Sequence, residues 1–185
     1  MIRIHVQVTM HGPFRVSTGV AAHGLDAVVD PERIPASSLK GVMRAAAVEI
    51  LGIGPERLTR IFGGGGDASP WAWNDLRLPE DRQITTRVRI PIESESGAAA
   101  KGGLFHAQEA WVAQPVNFEI EQVAATTDPA ADALILAAAA RAVKGLGASR
   151  RRGLGWTTWE PLIDEADTSL DSLVAAVQAA RESVA

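Results

Sequence analysis

Ile2, Ile4, Val6 and Val8 alternate with polar residues at the start of the chain, the period-two pattern of a half-buried strand. From Ser37 the period lengthens. Leu39, Val42, Met43, Ala46 and Ile50 recur at three- and four-residue spacings, which predicts an amphipathic helix over about 37–51 that stops at Gly52. Pro35 disfavours helix at Ile34, and Ser37 or Ser38 can accept a bond from the first free amides, so the helix is read as having an extended lead-in and a serine cap. Further along, strands are predicted over 71–78 and 109–122, separated by a stretch over 84–103 of short extended pieces and a small, polar tip. An Ala-rich helix over 130–143 follows, with Asp128 as its cap and Pro129 in its first turn. Trp156-Thr157-Thr158-Trp159 reads as a last strand. A terminal helix over about 168–184 places Leu170, Leu173, Val174, Val177 and Ala180 on one stripe, capped by Asp167 or Thr168, and is expected to pack back onto the domain.

This order predicts an α+β fold: a ferredoxin-like (RRM-like) βαββαβ core with an inserted hairpin and a C-terminal helix. Such a core hosts many RNA-recognition domains without by itself implying function. With 185 residues and 46% hydrophobic content, the chain reads as one domain, 1–185, around one core. The absence of cysteine excludes disulfides and thiolate metal sites and points to the cytoplasm. No run is long enough to span a bilayer, and Arg3 and His5 interrupt any signal-peptide pattern, so no membrane association is expected. The net charge of -4 argues against indiscriminate binding to polyanions; a nucleic-acid site would have to be a local cationic groove on an acidic body.

Two motifs supply such charge. Gly145-Leu146-Gly147-Ala148-Ser149-Arg150-Arg151-Arg152-Gly153-Leu154-Gly155 sets three guanidinium groups between glycines in a helix-to-strand loop. Glycine permits close backbone approach, and each Arg offers a planar fork of donors to phosphate oxygens. A solvated basic loop at a helix C-cap accounts for the same residues. In Ile34-Pro35-Ala36-Ser37-Ser38-Leu39-Lys40-Gly41-Val42-Met43-Arg44, Lys40 and Arg44 lie four apart beside the serine hydroxyls and the free amides of a helix start, an arrangement suited to an anion. An ordinary capped surface helix fits equally well.

In combination and in this order, the Pro-x-Ser-Ser-Leu-Lys-Gly helix start and the Gly- and Arg-rich loop resemble the RAMP superfamily of CRISPR-associated RNA-binding proteins, most closely the backbone subunit of type III effector complexes. The resemblance runs from about Ile2 to Glu160. It implies a subunit that binds guide CRISPR RNA, pairs it with target RNA, and assembles with other CRISPR effector subunits and head-to-tail copies of itself. RNA contacts are then expected at Ser37, Ser38, Lys40, Arg44, Arg150, Arg151 and Arg152.

The same resemblance makes the insertion over about 84–106 a thumb-like β-hairpin that kinks the guide strand. Arg87, Arg89 and Lys101 would contact phosphates there, while Ile90, Ile92, Leu104 and Phe105 either wedge against bases or pack inward. Asp26, in Gly24-Leu25-Asp26-Ala27-Val28-Val29-Asp30, matches the family's catalytic aspartate, which cleaves target RNA with Mg²⁺ or another divalent metal; Asp26 is thus expected to be both catalytic and metal-binding, and Asp30 structural. His11 and His23 lie in the same loop and are left out of the catalytic set, since an isolated His usually packs or faces solvent. Other readings remain: a non-catalytic RAMP RNA-binding subunit, or a scaffold whose Arg loop binds an acidic partner. A precursor-processing endonuclease is disfavoured, as it would want a better-defined general base near the Gly-rich loop.

Overall fold

The computed structural model describes residues 1–21, 24–164 and 166–182. In chain order the elements among them are β1 (Arg3–Met10), β2 (Arg33–Ile34), α1 (Ala36–Glu49), α2 (Pro55–Phe62), β3 (Trp71–Trp73), β4 (Leu76–Arg77), β5 (Gln83–Arg89), β6 (Phe105–Trp111), β7 (Val116–Gln122), α3 (Pro129–Ala142), β8 (Thr157–Ile163) and α4 (Leu170–Glu182). Four strands form the main sheet in the order β3-β7-β1-β8, every neighbouring pair antiparallel. With α1 after β1 and α3 between β7 and β8, this α+β arrangement is consistent with a ferredoxin-like core.

Period two decides which face is covered. Ile4, Val6, Val8, Phe118, Ile120, Trp159 and Ile163 point into one core with Leu39 and Met43 of α1 and Ile135 and Leu136 of α3. Phe118 meets Trp159 edge-on at 5.3 Å, a geometry worth about 0.5–1.5 kcal/mol beyond area burial. The alternate residues form the uncovered face. There His5 Nδ1 meets Glu119 at 3.1 Å and the Arg3 guanidinium pairs with Glu121 at 3.0 Å, both in register, amid an excess of carboxylates.

Several elements differ from the sequence expectation, each for a local reason. The strand expected over 71–78 is two: β3 stays in the main sheet, while β4 leaves it to pair with β2. Asp75 stands at the break and binds the Ala36 amide at 2.7 Å and the Arg33 guanidinium at 2.7 Å. Asp75, rather than Ser37 or Ser38, therefore satisfies the start of α1, whose N-cap position is Pro35 with no side-chain cap from that residue. The strand expected over 109–122 is also two, because β6 belongs to a separate ribbon and Pro115, which lacks an amide proton, precedes β7. That ribbon, β5 with β6, runs in register from Gln83↔Trp111 to Arg89↔Phe105, so the insertion is longer at its base than predicted.

α2 was not anticipated; Pro55 at its first turn and buried Leu58, Ile61 and Phe62 account for it. In α1 the buried set is Leu39, Met43, Ala46 and Ala47, and Ile50, at the helix end, is exposed. Asp128 caps α3 through the Ala131 amide as expected. α4 packs on α3 and ties Arg181 to the Leu51 carbonyl at 2.6 Å; Ser169 meets its first turn, and Asp167 holds Ser169 in place. Among the described residues no helix is long and apolar enough to cross a membrane.

Candidate nucleic-acid interface

Three segments far apart in sequence converge beyond the C-terminal end of β1. The chain leaving β1 bonds to the Gly–Arg loop through His11 N to Trp156 O, Gly155 N to Pro13 O and Ala148 N to Arg15 O, each 2.8 Å. It also bonds to the ribbon, where Phe14 and Ala110 exchange two backbone bonds at 2.8 Å. Gly147 and Gly155 sit at φ of 82° and 70°, where Cβ atoms would collide with the Arg15 and Leu146 carbonyls, so glycine is required at both for close approach. Arg150, Arg151 and Arg152 form a single 3₁₀ turn, all exposed, launched from Ser149 at φ 60°.

Arg15 ties these pieces together and was missed by the sequence reading. It is 6% exposed; Nη2 donates to Ser149 Oγ at 2.7 Å, and the guanidinium lies 5.6 Å from the Phe105 ring centroid at the ribbon. Burial lowers its pKa first, the nearby Arg89 charge lowers it further, and Glu109 partly offsets both.

Glu109 was missed as well, and it changes the meaning of the hairpin cations. Its side chain is fully buried, with Arg87 Nε at 2.7 Å from Oε2 and Arg89 Nη2 donating to Oε1 at 3.0 Å. Arg87 and Arg89 are thus engaged by a buried carboxylate, whereas Lys101 stands exposed near the hairpin tip. Ile90, Ile92 and Leu104 are 48%, 71% and 53% exposed, while Phe105, 37% exposed, lies partly inward against Arg15.

Asp26 is exposed and lies against the start of β6. Its Oδ2 accepts from the His106 amide at 2.8 Å, and its own amide donates to the His106 carbonyl at 2.8 Å. Oδ1 takes no hydrogen bond from the described residues. Asp30 is committed instead: Oδ1 accepts from the Glu32 and Arg33 amides and Oδ2 from Arg33 Nε, and the Glu32 amide foremost holds its pKa below the usual range. His11 bonds to Thr158 Oγ1 at 2.7 Å, and His23 lies outside the described residues.

The helix-start cations divide from the arginine turn. Lys40 Nζ lies 5.0 Å from the Trp73 ring centroid, with its pKa lowered by burial and then by Arg44. Arg44 is exposed beside Gly64. Arg150 and Arg151 instead face Val42, Ala45 and Glu49 on the opposite flank of α1 across a groove of about 370 Å³. Ser37 is exposed and Ser38 half-buried.

No group of three or more His, Asp or Glu side chains among the described residues could hold a metal ion. Asp26 offers one free carboxylate oxygen, which suits a hydrated Mg²⁺ only if phosphate oxygens complete its shell.

A family model described as the RAMP superfamily matches residues 17–158, which include the Asp26 loop, the ribbon and both motifs. The chain belongs to the RAMP superfamily. Its fold is similar to that of a chain in the cryo-EM structure of the type III-B Cmr-beta bound to cognate target RNA, with a TM-score of 0.58 and 17% identity over 88% of this chain and 60% of that one. This RAMP protein therefore spans less than two thirds of the similar chain's length. No curated protein matches it.

Proposed function

We propose that this RAMP protein is a guide-RNA-binding backbone subunit of a type III CRISPR effector complex, and that it cleaves guide-paired target RNA at regular intervals using a divalent metal. The observation that carries this reading is the convergence of the Asp26 loop, the ribbon base and the arginine turn at one end of β1, within the span matched to the superfamily. Cations on the turn suit an RNA backbone. The exposed apolar residues at the ribbon tip suit a wedge between bases, and Asp26 hangs from the ribbon where a displaced nucleotide would pass.

Cleavage by the neighbouring 2′-hydroxyl forms a bond from the 2′-oxygen to phosphorus and breaks the P–O5′ bond, leaving a cyclic phosphate and a 5′-hydroxyl. A metal held by Asp26 and phosphate oxygens would supply charge stabilisation at the scissile group. The chain's own contribution is to fix Asp26 through the His106 amide and to splay the strand.

The test is cleavage by the complex assembled with guide RNA and the partner effector subunits. Asp26→Ala should bind guide and target as the parent does while cleavage falls by at least about 100-fold, and EDTA should reproduce that loss in the parent. Asp30→Ala serves as control. Parental cutting by Asp26→Ala with loss in Asp30→Ala would move the catalytic role to Asp30, and parental cutting by both would move the assignment to a non-catalytic RNA-binding subunit.

A further inference from the structure

Trp156 is 70% exposed, whereas Trp71, Trp73 and Trp159 are buried in the core. It is nonetheless held firmly: its carbonyl accepts from His11, its backbone bridges to Gly145, and β8 begins at the next residue. Leaving an indole in water forgoes the stabilisation that burial would give, so an exposed indole on an anchored backbone suits a surface that a ligand covers. Trp156 lines the groove of about 370 Å³ that also receives Lys144, Arg150 and Arg151. The Arg150 stem lies over Gly145, where an added Cβ would meet its Cδ at 3.1 Å, so glycine at this position leaves room for that stem along the groove.

A flat apolar ring flanked by three cations is complementary to a flat aromatic ligand that carries anions. Glu49, on the α1 side of the groove, repels phosphate and so directs the anionic end toward the arginines. We propose that Trp156 is a stacking platform for one unpaired base of a bound RNA strand, with Arg150 and Arg151 holding the adjoining phosphates. The inference rests on the RNA-binding reading above and adds to it a base-facing residue in a groove separate from the ribbon and Asp26.

The test is a filter-binding titration of the purified chain with a short single-stranded RNA and with the same strand made abasic throughout, each over a range of salt. Trp156→Ala should weaken binding to the normal strand by roughly 5- to 100-fold, leave the salt slope unchanged, and leave the abasic strand's affinity unchanged; Trp156→Phe should retain most of the affinity. Equal losses on both strands, or no loss on either, would overturn the stacking role while leaving RNA binding intact. A parent chain that binds neither strand would overturn the RNA-binding reading itself. Self-association that vanishes in Trp156→Ala while RNA affinity is unchanged would give the groove to a second copy of the chain, again against the proposal. Thermal melting of both variants checks that the fold is preserved, as expected for so exposed a side chain.

Discussion

The ribbon and the Gly–Arg turn each carry a group of arginines, and the two groups are in opposite electrostatic states. Arg87 and Arg89 converge on Glu109, a carboxylate with no exposure, and Arg15 lies close enough to add its charge to the same cluster. Arg150, Arg151 and Arg152 are exposed on a short turn, where the described residues provide no ion pair. A buried carboxylate that has lost its hydration needs its cations to remain folded, and those cations are correspondingly less available to a phosphate. The difference separates a structural use of arginine, which fixes the ribbon on the body, from a surface use that leaves the fork of donors open. On that argument most of the electrostatic attraction for RNA would come from the turn.

Removing Glu109 breaks the comparison from the ribbon side and should have the largest effect. Glu109→Ala leaves Arg15 and Arg89 crowded without their counter-charge, a loss of about 3 kcal/mol or roughly 6–12 °C in the melting midpoint, at the lower end for a broken buried pair because Arg87 can turn out to water. Circular-dichroism melting measures it. A midpoint within about 2 °C of the parent would mean that the cluster does not hold the ribbon.

Replacing the turn arginines sharpens the comparison from the other side. Arg150, Arg151 and Arg152 to Ala should lower the slope of log affinity against log salt by about 2 for single-stranded RNA, while Arg87→Ala should lower it by less than about 0.7, one phosphate's worth. A full drop of about 0.7 for Arg87→Ala would mean that Arg87 contacts RNA in spite of Glu109, and an unchanged slope for the triple variant would remove the turn from the interface.

The difference between the two groups was only partly visible in the sequence. Period two located β1 and period 3.6 located α1 and α4, because their apolar faces are covered by the same core, while α3 was read from its Ala-rich run and its Asp128–Pro129 start. The turn arginines were found for a similar reason: they are contiguous and bounded by glycines whose conformation the loop requires. Glu109 was overlooked although a signal existed. Phe105, Ala107, Glu109 and Trp111 share one face of β6, so Glu109 is the only charge on an otherwise apolar stripe. Its partners lie twenty and more residues away on β5, and that pairing emerges only when the ribbon's register is known. Asp75 escaped for the same reason, since the amide it satisfies belongs to a helix 39 residues earlier. Asp26 was legible as a carboxylate in a loop, but its bond to His106 depends on the ribbon folding back over that loop.

The smallest expected effect tests the same distinction between committed and free groups on the acidic side. Asp30 accepts two amides and the Arg33 guanidinium, while Asp26 accepts one amide and keeps an oxygen free. The Glu32 amide foremost holds the Asp30 pKa below its ordinary value; burial opposes it more than any single Arg33 contribution offsets, and the Arg33 amide, guanidinium hydrogen bond and charge add to the lowering. A carboxylate with a depressed folded-state pKa contributes stability above its unfolded pKa, about 3.9, and that contribution is lost as pH falls through the lower folded value. The Asp30 side chain is 26% exposed in a surface turn, so after solvent screening the contribution is a few tenths of a kcal/mol. Asp30→Asn should therefore be slightly less stable than the parent at pH 6, and the gap should close as the pH falls below the unfolded value of about 4 and through the lower folded one. Urea unfolding across that range measures it. A gap that stays constant with pH would show that the turn is held by its amide geometry alone and not by the charge of Asp30.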